Sequence, residues 1–255
     1  LISMAQDDLK LKLDSIATTG LEKGIPGIQV IISDSKGYTI YNYGHHEIEK
    51  TTEVNDSTRW RYGSITKVFT AVMILQLESE GKLSIDDSVT KYIDLKQHNA
   101  AGITIKHLLN HSSGLYNYTA SKKLKWEDTP NLCLENSLKR KLNFTPGSKY
   151  DYCNTGYVIL GLIIEKITAQ SYQQNITERI FKPCGLESMI YCSDDKIPFN
   201  TARGYKIKHN KYTDFTEIDH SWANSAGAVL GNLTDLNKFV DCLFKGNLID
   251  SSQLK

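Results

Sequence analysis

Ser64 and Lys67 are the pair of residues in this chain whose types and spacing best suit covalent chemistry. If the stretch beginning at Tyr62 opens a helix, their hydroxyl and amine groups, three residues apart, share one helical face. Serine is a weak nucleophile until a neighbouring group accepts its proton. Burial lowers the pKa of a lysine amine, so a buried Lys67 could be neutral and act as that acceptor. The pair therefore predicts a nucleophile and its proton partner at the start of a helix.

The Ser-x-x-Lys spacing alone is weak support, because it recurs in polar stretches typical of turns, chain ends or solvated faces. The other copies begin at Ser33, Ser79, Ser88, Ser193 and Ser252. For any isolated copy, a serine helix cap with a surface lysine is the ordinary alternative. Only Ser64 precedes a long, mainly apolar run, residues 68–77, which predicts a helix buried in the middle of a domain.

A second chemical candidate is the segment Tyr152-Cys153-Asn154, the only Tyr-x-Asn in the chain. It lies where a loop is expected to turn into a strongly apolar helix. A tyrosine beside a desolvated lysine could act as a general base, and an asparagine amide could orient both the lysine and a substrate carbonyl. The alternative is a structural tyrosine followed by an asparagine cap, and this segment by itself does not separate the two interpretations.

Composition is that of an ordinary globular protein and argues against several kinds of partner. The 255 residues, 40% of them hydrophobic, suffice for one large domain or two modest ones. Lys+Arg total 30 against 29 Asp+Glu, so the net charge indicates neither a nucleic-acid nor an anionic-membrane partner. No apolar stretch is long enough to span a bilayer, and the first residues do not resemble a signal peptide. We therefore expect either a cytosolic protein or one whose leader lies outside this numbering.

The cysteines and histidines do not form a recognisable metal motif. None of the five cysteines belongs to a Cys-x-x-Cys pair, and the odd number argues against a full disulfide framework. A single disulfide bridge is still possible, and Cys184 and Cys192 are its candidate pair. His107 and His111 have the i, i+4 spacing of metal ligands, but no glutamate follows His107 as a zincin motif requires. We expect no metal site.

The order of the predicted elements favours an α+β fold. Residues 28–33 and 38–44 predict an antiparallel hairpin, residues 204–218 alternate as strands do, and residues 51–62 look irregular. Helical patterns follow Ser64 and cover 7–21, 104–114, 126–142, 157–167, 173–181 and 236–244. Thr234 or Asp235 is the expected cap of the last helix.

This arrangement predicts an antiparallel sheet flanked by helices, with a mainly helical domain inserted into it. Residues 1–80 and 202–255 would form the α/β part, and residues 81–201 the helical insertion. The cleft between the two parts is the expected ligand site.

Five short segments in collinear order then resemble a known family. They are 64–67 (Ser-Ile-Thr-Lys), 81–87, 103–115, 146–157 (which contains Tyr-Cys-Asn) and 225–227 (Ser-Ala-Gly). Together they are similar to the serine beta-lactamase and penicillin-binding-protein superfamily. The likeness is greatest to its class C branch, which includes D,D-carboxypeptidases, D-aminopeptidases and family VIII esterases.

The resemblance implies a role for each candidate residue. Ser64 would be the acylated nucleophile and Lys67 its proton partner. Tyr152 would be the general base or its proton relay, and Asn154 would contact Lys67 and the substrate amide. The backbone N–H of Ser64 would supply one oxyanion-hole donor. The implied reaction is acyl transfer through a covalent acyl-enzyme to water, with no metal or organic cofactor.

One element of the family pattern is absent from this sequence. Relatives carry a Lys-Thr-Gly or His-x-Gly triplet on a strand facing the serine, but none of the 17 glycines here follows Lys or His at that spacing. We expect the C-terminal strands to be missing from this numbering, or the chain to be a natural variant without them. A non-catalytic penicillin-recognising module is therefore the alternative to a hydrolase of a beta-lactam, a D-Ala-D-Ala peptide or an ester. The resemblance implies a periplasmic or secreted protein.

Overall fold

The computed structural model describes residues 2–95, 100–121, 130–192, 197–209, 211–216 and 221–254. The helices are α1 (Ile2–Glu22), α2 (Thr66–Ser79), α3 (Ile105–Leu109), α4 (Pro130–Leu138), α5 (Asn154–Thr168), α6 (Tyr172–Ile176) and α7 (Leu233–Phe244). The strands are β1 (Gly27–Asp34), β2 (Gly37–Gly44), β3 (Arg59–Arg61), β4 (Ile190–Tyr191), β5 (Tyr205–Lys208), β6 (Lys211–Asp214) and β7 (Val229–Asn232). The mixed α+β class expected from the sequence is confirmed.

Helix α2 runs through the hydrophobic core, as its apolar sequence predicts. Its buried residues include Phe69, Met73, Ile74 and Leu77, all at 0% exposure. The ring of Phe69 stacks on that of Phe239 in α7, with centroids 4.0 Å apart. Helix α5 is also largely buried and packs against α2. Two apolar helices packed together give the start of each a fixed position, and both candidate motifs lie at such starts.

The predicted hairpin over residues 28–44 is present, and the strands predicted within residues 204–218 are paired with each other. Strands β1 and β2 pair antiparallel along their whole length, and β5 pairs with β6 in the same sense. In the first turn, Asp34 Oδ1 accepts the Lys36 N–H at 2.7 Å, and Gly37 takes a φ of +138°, which a side chain would disfavour. Local turn chemistry and alternation therefore suffice for the β1-β2 hairpin.

A third sheet, in the order β3-β7-β4, contradicts the irregular structure expected for residues 51–62. Strand β7 lies in the middle and pairs antiparallel with both neighbours. These strands are two to four residues long, too short for an alternating pattern to be recognised, and their partners are distant in sequence. The Tyr62 N–H continues the pairing to the Val229 carbonyl at 3.0 Å, so this sheet leads directly into the turn that carries Ser64.

The expected cap of the last helix is wrong. Helix α7 begins at Leu233, and the preceding Asn232 caps it, because its side chain accepts the Asp235 N–H at 2.8 Å. The earlier start follows from β7, which runs straight into the helix. Asn232 therefore ends a strand and caps a helix at once, and only the strand pairing reveals that position.

The candidate pairing of Cys184 with Cys192 is also wrong. The disulfide joins Cys184 to Cys242 on α7, across 58 residues of sequence, while Cys192 is buried and lies outside this disulfide. Cys192 instead follows β4 and donates its backbone N–H to the Ala228 carbonyl at 2.9 Å. The sheet thus holds Cys192 in place, and α7 brings Cys242 within reach of Cys184.

The remaining helices differ from prediction in detail. The helix expected over 126–142 is present as α4, Pro130–Leu138, and its first four residues lie outside the described ranges. The segment 173–181 divides into α6 and a π-helical turn, Thr177–Phe181. Along the described residues, no helix combines the length and apolar character needed to cross a bilayer. The division into a 1–80 plus 202–255 part and an 81–201 insertion stays a prediction.

Candidate active site

Ser64 lies in a single 3-10 turn, Gly63–Ile65, between β3 and α2. It therefore lies just before α2, whereas the sequence had suggested a position on the first turn of the helix. Gly63 takes a φ of +53°, which allows the chain to turn sharply from strand to helix. The serine side chain is exposed, so a substrate can reach its hydroxyl from solvent.

Lys67 is buried beneath Ser64, with only 6% of its surface exposed. Its Nζ lies 3.2 Å from Ser64 Oγ, 2.8 Å from Asn154 Oδ1 and 2.8 Å from the Ala226 carbonyl oxygen. Desolvation lowers the pKa of this amine from its usual 10.5 to about 8. Among the described residues no carboxylate is hydrogen-bonded to this amine, and the nearby Cys153, which acts in the opposite direction, offsets the desolvation only in part.

These three contacts define the proton chemistry available to Lys67. An ammonium group donates three hydrogen bonds, one to each neighbour. A neutral amine donates two, to Asn154 and the Ala226 carbonyl, and turns its lone pair to the third neighbour, Ser64 Oγ. The same arrangement can therefore hold either the neutral amine or the ammonium.

Tyr152 approaches Ser64 from the loop that precedes α5. Its hydroxyl donates to Ser64 Oγ at 2.8 Å, and the Lys67 Nζ lies 4.9 Å from the centre of its ring. The side chain is 38% exposed, so its hydroxyl borders both the buried amine and the solvent-filled side of the site. Tyr157 lies deeper, and burial raises its pKa to about 12, which leaves it neutral.

Asn154, the first residue of α5, is held on both sides. Its Oδ1 accepts from Lys67, while its Nδ2 donates to Thr119 Oγ1 at 3.1 Å and to Asn117 Oδ1 at 3.4 Å. Asn117 Oδ1 also accepts the Asn154 backbone N–H at 3.2 Å. This network fixes the amide with its oxygen towards the lysine, and sequence reasoning missed both supporting residues. Asn117 could have been noticed as the cap of the 3-10 turn that follows it.

The Ala226 carbonyl completes the surroundings of Lys67, and no side-chain pattern could have assigned it. It ends the 3-10 segment Ser221–Ala226, which is interrupted at Asn224 with φ +42° and ψ −140°. The preceding carbonyl, of Ser225, accepts from Thr70 Oγ1 at 2.7 Å. Two successive carbonyls are thus hydrogen-bonded to α2, which sets the distance to the amine.

The two histidines that share i, i+4 spacing are engaged separately. His107 accepts the Thr104 N–H in a capping box, and His111 accepts the Cys153 N–H. Within the described ranges, no three His, Cys, Asp or Glu side chains are grouped as metal ligands.

A fold of this kind with a Ser-Lys-Tyr cluster in it defines a class of protein. The family described as Beta-lactamase matches residues 13–255, and the chain belongs to that family of beta-lactamase-fold hydrolases. The family resemblance expected from the sequence is thereby confirmed.

Several relatives resemble the chain along most of its length. It is 28% identical over 246 residues to Protein flp of Staphylococcus aureus (strain MW2), an alignment that covers 92% of this chain and 49% of that protein. The chain thus spans about half the length of this curated relative. Its fold matches the D-amino acid amidase of Ochrobactrum anthropi SV3, solved with L-phenylalanine amide, at TM-score 0.87 and 26% identity, covering 97% of this chain and 73% of the other. The octameric penicillin-binding protein homologue of Pyrococcus abyssi matches at TM-score 0.81 and 27% identity, covering 96% and 59%.

Proposed function

We propose that this chain is a serine hydrolase that works through an acyl-enzyme on Ser64. The observation that carries the proposal is the position of one exposed hydroxyl between two proton-handling groups. Ser64 Oγ lies 3.2 Å from the Lys67 amine and 2.8 Å from the Tyr152 hydroxyl. A nucleophile within hydrogen-bond reach of its base, with that base oriented by a third group, is the arrangement that activates serine.

In the proposed reaction, Ser64 Oγ attacks the substrate carbonyl while its proton passes to the neutral Lys67 amine. The Ser64 backbone N–H is proposed as one donor to the resulting oxyanion. Collapse of the tetrahedral intermediate breaks the bond to the leaving group, which takes a proton from the Tyr152 hydroxyl. Lys67 then returns its proton to Tyr152. Water, deprotonated by the same groups, cleaves the ester and restores Ser64.

The substrate is proposed to be a beta-lactam, a D-Ala-D-Ala peptide, an ester or the amide of a D-amino acid. All four present a carbonyl that an exposed serine can attack, and none requires a metal or an organic cofactor. The amide is included because a structural relative is a D-amino acid amidase. The beta-lactam and peptide are included because another relative is a penicillin-binding protein homologue.

The alternative is a penicillin-recognising module of the same fold that is acylated without turnover. One observation favours it: residues 1–255 contain no Lys-x-Gly or His-x-Gly triplet, so these residues by themselves do not supply the strand that faces the serine in relatives. The intact cluster of Ser64, Lys67, Tyr152 and Asn154 favours the hydrolase, because proton-handling groups on two sides of the serine suit both the formation and the hydrolysis of an acyl-enzyme.

The experiment measures both the intact mass of the protein and the turnover of substrate. The protein is incubated with a fluorescent penicillin, a p-nitrophenyl ester and D-phenylalanine amide, with intact mass and product release followed over time. Ser64→Ala tests the nucleophile, and Ser33→Ala is a matched control, because Ser33 begins another Ser-x-x-Lys copy at the exposed end of β1. The hydrolase predicts turnover of at least one substrate, lost in Ser64→Ala and retained in Ser33→Ala.

The other outcomes separate the two proposals. A stable covalent adduct that forms on the wild type, is absent from Ser64→Ala and does not turn over supports the recognition module. Neither adduct nor turnover with any substrate, in folded protein extended past Lys255, contradicts both.

A periplasmic or secreted location is part of the proposal. The disulfide between Cys184 and Cys242 supports it, because such bonds persist in oxidising compartments. The proposed partners are accordingly small molecules or peptides, and the charge balance of 30 Lys+Arg against 29 Asp+Glu gives no support for nucleic acid.

A further inference from the structure

His111 lies just after α3 and accepts the backbone N–H groups of the two residues on either side of Tyr152. Its carbonyl oxygen accepts the Asp151 N–H at 2.8 Å, and its Nδ1 accepts the Cys153 N–H at 3.2 Å. Its φ of +59° is unusual for a residue with a side chain, and this conformation points the carbonyl and the ring towards the same loop. One residue thus holds both flanks of the proposed proton-transfer tyrosine.

The imidazole ring also packs against the tyrosine that it flanks. Its centroid lies 4.4 Å from that of Tyr152, with the ring planes tilted by 36°. Behind it, Tyr157 of α5 lies 5.2 Å away, and Tyr150 meets it edge-on at 5.9 Å. The Tyr152 ring is therefore constrained by stacking as well as through its backbone, although its own side chain is partly exposed.

We propose that His111, as the neutral imidazole with Nδ1 unprotonated, is a positioning residue that holds the Tyr152 hydroxyl against Ser64. This inference rests on the proposed function, because it concerns how the tyrosine of that reaction is held. The hydrogen bonds and ring contacts of His111 join it to the loop that carries Tyr152, so it acts on Ser64 through that loop. A displacement of about 1 Å at a reacting group can cost about a hundredfold in rate, so two hydrogen bonds around one residue are enough to matter.

The two hydrogen bonds by which His111 holds the residues flanking Tyr152 are called the clamp below, and the clamp depends on the protonation state of His111. Protonated Nδ1 would carry a hydrogen directed at the Cys153 N–H, and two donors cannot bond to each other. Burial, and then the nearby Lys67, lower the pKa of His111, so the ring is neutral over the range in which Lys67 becomes an amine. The titratable groups around it are Lys67 from α2, Tyr157 from α5, Tyr150, Asp151, Tyr152 and Cys153 from the loop, and His107 from α3.

Three variants test the clamp. His111→Phe keeps a ring but removes the acceptor for the Cys153 N–H. His111→Asn offers an acceptor near the Nδ1 position, tolerates positive φ and cannot be protonated in this range. His107→Phe is the matched control, because His107 Nδ1 also accepts a backbone N–H at 3.2 Å, that of Thr104 at the start of α3. The contacts of this control residue lie at the start of α3, in the capping box with Thr104.

Kinetics on a p-nitrophenyl ester give the first readout. We expect His111→Phe to lower kcat about tenfold or more with little change in KM, and His107→Phe to retain the wild-type kcat. Thermal unfolding of each variant controls for loss of fold. Equal kcat in folded His111→Phe and His107→Phe would overturn the inference.

The pH profile gives a readout that a merely structural histidine would not move. Below the pKa of Lys67, the logarithm of the acylation rate should fall with unit slope. Below the pKa of His111 the slope should become about two in the wild type and stay near one in His111→Asn. The same slope in both proteins would overturn the inference, and this comparison holds even if His111→Phe does not fold.

Magnetic resonance separates this inference from the proposed function. The imidazole of His111 is titrated in the wild type while the ring signals of Tyr152 are followed, with no substrate present. Tyr152 signals that shift with the His111 pKa support the clamp, even in a protein that turns over nothing. Tyr152 signals that ignore this titration overturn it, even in an active hydrolase.

Discussion

Raising the pH is expected to convert Lys67 from ammonium to amine and thereby to accelerate acylation of Ser64. The pKa of Lys67 is lowered by burial to about 8. At neutral pH about a tenth of the molecules then carry the amine, against about one in three thousand for an unperturbed lysine. The buried site thus raises the supply of proton acceptor about 300-fold.

The assay is the pre-steady-state release of p-nitrophenolate from an ester between about pH 6 and about pH 9.5. The acylation rate should rise about tenfold per pH unit on the acid side of the Lys67 pKa and level off above it. Lys67→Arg is the control, because a guanidinium stays charged throughout this range. It should abolish the rise along with most of the rate.

Two results would refute this reasoning. A rate that is constant over the whole range would mean that no group with a pKa near 8 controls acylation. A rate that still rises through about pH 10 would mean that the amine keeps an ordinary pKa and that burial does not desolvate it. In either case Lys67 would not be the group that takes the serine proton at neutral pH.

Three further predictions concern the same framework. Tyr152→Phe removes the hydroxyl that donates to Ser64 Oγ at 2.8 Å, so kcat should fall about 10²- to 10⁴-fold while the melting temperature stays the same. An unchanged kcat would mean that Tyr152 does not take part in proton transfer. Lys67→Met should reveal the cost of the buried charge, because the pKa of Lys67 is lower in the folded state than in the unfolded state. Measured by urea unfolding, the stability of the wild type relative to this variant should rise by up to about 3 kcal/mol between about pH 8 and about pH 10.5. A difference that does not change with pH would contradict the lowered pKa. Replacing Cys184 and Cys242 together by serine opens a 58-residue loop and should cost about 4 kcal/mol of unfolding free energy while leaving activity per folded molecule intact; equal stability of the two proteins would contradict this.

The sequence alone was sufficient for features that depend on neighbouring residues. The spacing of Ser64 and Lys67 places them together however the rest of the chain folds, because they are separated by less than one helical turn. The β1-β2 hairpin follows from alternation and turn residues. The collinear motifs identified the family, and the composition of Tyr152-Cys153-Asn154 identified a second candidate segment.

Other features depend on packing between distant segments, which local pattern does not encode. The 2.8 Å contact between Tyr152 and Ser64 joins residues 88 apart, and its length is set by how α5 lies against α2. The short strands β3, β4 and β7 are defined only by their partners. Their pairing places Asn232 as a cap and brings α7, with Cys242, beside Cys184.

The surroundings of Lys67 show the same division most clearly. Sequence supplied the lysine and its serine, but the lowered pKa requires burial, which is a property of the assembled core. One of its three acceptors is the backbone carbonyl of Ala226, a group that every residue possesses and no motif can select. His111 likewise was recognisable only as a histidine, and its two bonds around Tyr152 exist because the loop folds back over α3. The sequence determined which groups can do chemistry, and the tertiary structure decided which of them meet and in what protonation state.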